Sequence, residues 1–107
     1  MNKYLVVFFL LIVTGCSVKL REPLQADVDR SKTIFPSITL AELTEGKSIY
    51  ENRCSVCHGV KRLTAEKEAK WRKIVPIMVN KANKKAGKQV ISSQDQEKLL
   101  QYILAMR

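Results

Sequence analysis

Histidine is nearly absent: His58 is the only one in 107 residues. One imidazole excludes any site that needs two histidines from this chain and leaves none spare for acid–base catalysis. Cysteine is almost as scarce, at Cys16, Cys54 and Cys57. Three cysteines cannot make a disulfide framework. With one neighbouring histidine and no second cluster, they also fall short of the two separated ligand pairs usual at zinc. The apolar run Leu5–Val13 is nine residues long, well below the ~20 needed to span a bilayer as a helix. The carboxylates show no paired arrangement, and Glu66/Glu68 and Asp27/Asp29 read as solvated surface. The chain is therefore not expected to be an enzyme by itself. No strand-rich pattern, internal repeat, low-complexity tract or nucleic-acid motif is present. The length has room for one small domain.

What is present is concentrated in five residues, Cys54-Ser55-Val56-Cys57-His58. C-x-x-C-H is the attachment signature of c-type haem. Two thiols three positions apart can each add to one haem vinyl group, and the next residue, His58, can supply the proximal imidazole to iron. The competing uses are weaker. A thioredoxin-like C-x-x-C needs a βαβ setting. A disulfide between Cys54 and Cys57 would close a very short, strained loop that stabilises little. One covalent haem c, with its iron, is the expected cofactor.

The N-terminus reads as a targeting segment. Leu5–Val13 follows Lys3 and has the length of a signal-peptide apolar region. Val13-Thr14-Gly15-Cys16 resembles the lipobox of bacterial lipoproteins, with residues 1–15 removed and Cys16 acylated. An ordinary signal peptide with a chance cysteine is the alternative. Two or three acyl chains, at about 0.8 kcal/mol per buried CH₂, anchor durably where one would not. The cysteines are then all assigned, one to lipid and two to haem. The expected location is the bacterial periplasm, with lipid in a membrane. Ser17 after the cysteine, in place of an aspartate resembling a retention signal, favours the periplasmic face of the outer membrane. Loss of Lys3 with the leader would lower the formal charge from +9 to +8.

Residues 16–39 are expected to be a lipid-anchored tether. Pro23 and Pro36 bracket a mixed-charge stretch with no clear period. Fully extended, residues 17–39 would reach on the order of 75 Å, letting a domain swing between partners. The other outcome is that this stretch packs back on the domain through Ile34, Phe35 and Ile38. The domain itself is expected over 40–107. Its first helix starts near Thr39-Leu40, with Thr39 as N-cap and Glu42 completing a capping box; Leu43, Ile49 and Tyr50 share one face, with Gly46 between them. A second helical region covers 66–85. Trp71, Ile74, Val75 and Met78 fall at i, i+3, i+4 and i+7, and Ala82 extends the stripe. Pro76 predicts a kink or a fresh helix start. A turn follows at Ala86-Gly87-Lys88. Ser92 with Asp95, or Ser93 with Gln96, caps a last helix striped by Leu99, Tyr102, Ile103 and Met106.

Residues 40–107 resemble a class I cytochrome c. In that family the helix before the haem motif carries a glycine and then an aromatic, which Gly46 and Tyr50 match. Its last helix crosses the first where that glycine lets the backbones approach, and Leu99-Leu100-Gln101-Tyr102-Ile103-Leu104 is similar to that helix, with Tyr102 at its aromatic. The resemblance implies an all-α fold, small, with three main helices around one covalently attached haem. It also implies a methionine on the distal side of the iron. Met78 is the candidate, because Met106 lies one residue from the C-terminus. Met78 stands only 20 residues after His58, a shorter ligand loop than the family's usual one. A core methionine on an amphipathic stripe, a lysine ligand and an open iron site remain the alternatives.

The expected function is one-electron transfer by a membrane-anchored periplasmic monohaem cytochrome c with His58/Met78 ligation. Its partner would be a redox protein, and the lysine excess would suit an acidic one. The alternatives are a haem-based sensor or ligand-binding module, and a haem subunit of a larger dehydrogenase complex.

Overall fold

A computed structural model describes residues 20–54 and 61–107. Cys16, Cys57 and His58 lie outside the described residues. Among those described, all regular structure is helical: α1 (Gln25–Ser31), α2 (Leu40–Arg53), a 3₁₀ turn at Leu63–Ala65, α3 (Glu68–Ala86) and α4 (Ser93–Met106). The protein is all-α. No helix among the described residues is long and apolar enough to cross a membrane.

Local chemistry sets the helix ends. The Thr39 hydroxyl accepts from the Glu42 N–H at 3.2 Å and opens α2. Ser92 and Asp95 form a reciprocal capping box at α4. The Asp95 N–H donates to Ser92 Oγ at 3.1 Å and the Ser92 N–H to Asp95 Oδ2 at 3.2 Å. Each bond satisfies a donor that the first helical turn leaves without a partner. Helix α3 stops at Gly87, whose left-handed backbone (φ 71°) turns its N–H onto the Lys84 carbonyl, a conformation glycine adopts without steric cost.

No fresh helix starts at Pro76: α3 runs through it for 19 residues. Pro76 is exposed, so the backbone group its ring deprives of a partner can be met by water. Trp71 and Val75 before it and Val79 after it are buried and hold both halves to one core.

The core is built mainly by α2 lying across α4, with α3 also packed on α4. Trp71, Tyr102, Leu43, Leu99, Ile103 and Val75 are fully buried. Helix α2 buries Leu43, Gly46, Lys47 and Tyr50, with Ile49 only half-buried. This differs from the apolar face expected, and Lys47 explains why. Its ammonium meets Glu22 at 2.6 Å and Glu51 at 2.7 Å, so a charge can take an inward position beside Gly46. Asn83 ties the 87–92 loop to α3. Its Oδ1 accepts from the N–H groups of Val90 (2.8 Å) and Ile91 (2.9 Å), and its Nδ2 donates to the Ile91 carbonyl at 3.1 Å.

The described part of the 16–39 stretch is docked. Helix α1 packs on α4 and α2. Val28 and Ile38 join the core, and Asp27 and Ser31 are buried with them. Ile34, which the sequence offers as a packing residue, is 47% exposed, and Phe35 is half-buried.

Candidate functional site

Cys54 is the described member of the C-x-x-C-H motif. It caps the C-terminal end of α2 and is buried, one turn beyond Tyr50 on the same helix. The chain that re-emerges at Lys61 is pinned from two directions. The Tyr50 hydroxyl donates to the Lys61 carbonyl at 2.6 Å, and Trp71 Nε1 donates to the Leu63 carbonyl at 2.9 Å. The two rings meet edge to face, centroids 6.3 Å apart and planes at 82°, an attractive geometry for aromatic pairs. Both flanks of the motif thus rest on one aromatic wall, which Tyr102 extends at 6.2 Å from Tyr50.

Burial pushes the Tyr50 and Tyr102 phenols up to about 12, so both are neutral at physiological pH. The Tyr102 hydroxyl is buried without a hydrogen-bond partner among the described residues. That is unusual, since a buried hydroxyl without a partner costs about 1–3 kcal/mol.

Met78 lies on α3, half-buried and packed against the core. Ala82 follows it by one turn along the same half-buried line. A cavity of about 280 Å³ opens between the ends of α2 and α3, lined by Arg53, Ala82, Lys85, Ala86 and Val90. It begins one residue from Cys54, its walls are largely apolar, and its rim carries two cations. Cys54 follows the lining residue Arg53 in the chain, and Met78 stands one turn before the lining residue Ala82 on α3. A second cleft, about 470 Å³ at the start of α3, is lined by Ala65, Glu66, Lys67, Ala69, Lys70 and Lys73. It offers no sulfur or imidazole. Among the described residues no group of three or more His, Cys, Asp or Glu side chains could hold a metal ion.

Charge is segregated across the molecule. Residues 61–92 carry ten Lys and Arg against two carboxylates, while residues 20–54 carry five against six. Helix α3 is therefore the basic side, and α1 with α2 is close to neutral. Acids and bases on α2 and α4 pair locally, as Lys98 does with Glu45.

Compared with known proteins, the chain matches no family model, no curated protein and no solved structure.

The sequence singled out Cys54, Tyr50, Tyr102, Trp71 and Met78. The structure brings the first four to one wall and sets Met78 on α3 beside the same core. Sequence reasoning missed Arg53, Lys85 and Val90 at the cavity and Asn83 behind it. Arg53 alone carried a local signal, as the neighbour of Cys54.

Proposed function

We propose that the protein is a membrane-anchored c-type cytochrome that carries single electrons and turns over no substrate itself. Haem c would be held by thioethers to Cys54 and Cys57, with His58 as the proximal iron ligand, Met78 as the distal one and Cys16 as the lipid-bearing residue. The motif Cys54-Ser55-Val56-Cys57-His58 carries this reading. It is supported by an apolar, cation-rimmed cavity beside Cys54 and by the approach of α2 to α4 at Gly46 and Tyr102, the contact the cytochrome resemblance implies.

Haem c, when bound, supplies a one-electron couple whose potential a histidine–methionine ligand pair raises. The chain's own residues do the rest. Tyr50 and Trp71 hold the segment after the motif at Lys61 and Leu63, so the ends of the motif stay in register. Ala82, Ala86 and Val90 would give the group apolar contact on one side of the cavity. Arg53 and Lys85 at its rim suit propionate carboxylates. The lysines of α3 would steer an acidic redox protein toward that side.

The test is expression of the full chain in a bacterium equipped for haem attachment. The reading expects a red protein with the added mass of one haem. It also expects, in the ferric state, the weak red absorption band of methionine-bound iron, lost in Met78→Ala. A colourless protein without added mass refutes the haem. A high-spin spectrum with ready carbon monoxide binding refutes Met78 ligation and turns the reading toward a ligand-binding module.

A further inference from the structure

The docking of α1 changes what the N-terminal stretch can do. Its segment is knitted in from both ends. Asp27 accepts two bonds from Arg21, at 2.9 and 2.8 Å, one from the Leu24 N–H at 2.8 Å and one from Arg30 at 2.8 Å. Arg30 also donates to the Ala105 carbonyl at the end of α4, at 2.9 Å, and Glu22 reaches Lys47 of α2 at 2.6 Å. Pro23, Val28 and Ile38 are buried. Leu20, at the start of this segment, packs against the core. Ser17, Val18 and Lys19 alone lie between it and Cys16, and that spacing spans at most roughly 14 Å.

We propose that residues 20–38 are a strap that seats the α1 side of the domain on the headgroups of the bilayer holding Cys16. The inference rests on the reading of Cys16 as a lipid anchor. The strap's start carries exposed cations and one exposed leucine beside the exposed carboxylates Glu22 and Asp29, so the short spacing to Cys16, and not net charge, sets the contact. Arg21 and Arg30 are 55% and 59% exposed beyond their bonds to Asp27, and Leu24 is 57% exposed between them in the chain. A side chain of each kind is what an interfacial contact uses, cation to phosphate and apolar body to the acyl boundary. The domain then rides on the membrane and does not swing out from it. Its redox partner must come to the bilayer surface.

The experiment uses the acylated, haem-loaded full chain on a supported bilayer of phosphatidylethanolamine and phosphatidylglycerol, with neutron reflectometry reading the gap between headgroups and protein. Wild type should show a gap no larger than about 14 Å. A flexible Gly/Ser insertion of about 20 residues after Lys19 should open it toward about 25 Å. Val28→Asp, which puts a charge into the strap's buried face, should open it further with an unchanged haem spectrum. A wild-type gap already as wide as that of the insertion variant overturns the proposal. So does hydrogen exchange in 25–31 as fast as in an unfolded peptide, with Cys16 acylated. Mass spectrometry separates the two failures: an unacylated Cys16 removes the anchor reading, and the proposal with it, even where α1 amides exchange slowly.

Discussion

Gly46 and Tyr102 meet where α2 crosses α4, so closely that a Cβ on Gly46 would lie 2.6 Å from the Tyr102 Cβ and collide with the Lys98 carbonyl oxygen. Neither obstacle is the tip of a flexible side chain. The two helices would have to separate to admit even a methyl group, and Tyr50, Trp71 and the chain at Lys61 and Leu63 adjoin the same contact. Gly46→Ala should therefore destabilise the protein by about 3 kcal/mol, at the upper end of overpacking costs. Urea denaturation followed by circular dichroism measures it. Gly87→Ala is the contrast: it meets no neighbour but has φ 71°, so about 1–2 kcal/mol is expected from backbone strain alone. A Gly46→Ala midpoint equal to wild type would show that the crossing is looser than described.

Asp27 makes stability acid-sensitive. The Arg21 guanidinium, helped by the Leu24 N–H and Arg30, holds its carboxyl well below the usual carboxylate range, against burial that pushes it up. A group whose pKa is lower folded than unfolded stabilises the fold above its unfolded pKa, about 3.9. That contribution fades as pH falls from there toward the folded value. Asp27→Asn should cost about 2–3 kcal/mol at neutral pH, and its melting temperature should fall less steeply than wild type's below about pH 4. Parallel acid profiles for the two proteins would contradict this.

Asn83 is the hinge pin of the loop between α3 and α4. Asn83→Ala removes three hydrogen bonds to Val90 and Ile91 and leaves two N–H groups near a buried isoleucine in want of acceptors. A loss of about 2 kcal/mol is expected, along with faster hydrogen exchange at Val90 and Ile91. Asn83→Asp should recover part of the loss, since Oδ1 is the atom that accepts twice. Failure of the aspartate variant to recover any would assign the effect to packing.

If α3 steers an acidic redox partner, Lys81→Glu with Lys84→Glu should slow the second-order electron-transfer rate at low salt by about tenfold and flatten its ionic-strength dependence. Lys32→Glu, beyond α1 on the near-neutral side, should change it little. The readout is stopped-flow oxidation by an acidic electron acceptor over a salt series. Equal slopes for all three proteins would remove the steering role.

A domain over 40–107 is near the size where an apolar core alone is marginal. A Cys54→Ala, Cys57→Ala variant, unable to hold haem covalently, should lose cooperative thermal unfolding in far-ultraviolet circular dichroism. A sharp, native-like melt would show that the helices fold without the group.

Much of the secondary structure was legible from short-range patterns. Ser92 and Asp95, three apart, announce a helix start, and the box is there. Leu99, Tyr102 and Ile103 announce a buried stripe, and Gly87 a stop. Thr39 opens α2 through its own hydroxyl, without the reciprocal Glu42 bond that a capping box would add. One local reading gave way to packing: no fresh helix starts at Pro76, since Trp71 and Val79 are buried on either side of it. Lys47 takes a buried position because the exposed Glu22, from the stretch that reads as a tether, meets its ammonium. At the site, Cys54, Tyr50 and Trp71 stood out by type and spacing, while Lys85, Val90 and Asn83 are ordinary residues in their own neighbourhoods.

The amino-acid sequence by itself determined where α2 and α4 start and where α3 stops, because caps and stripes act within a turn or two of chain. It also placed two thiols and the only imidazole within five residues, a spacing no fold can alter. The tertiary structure alone decided that α1 is a docked strap. The bonds from Glu22 to Lys47 and from Arg30 to Ala105 join residues 25 and 75 positions apart. Such pairs leave no periodic trace, because neither partner's local sequence points to the other.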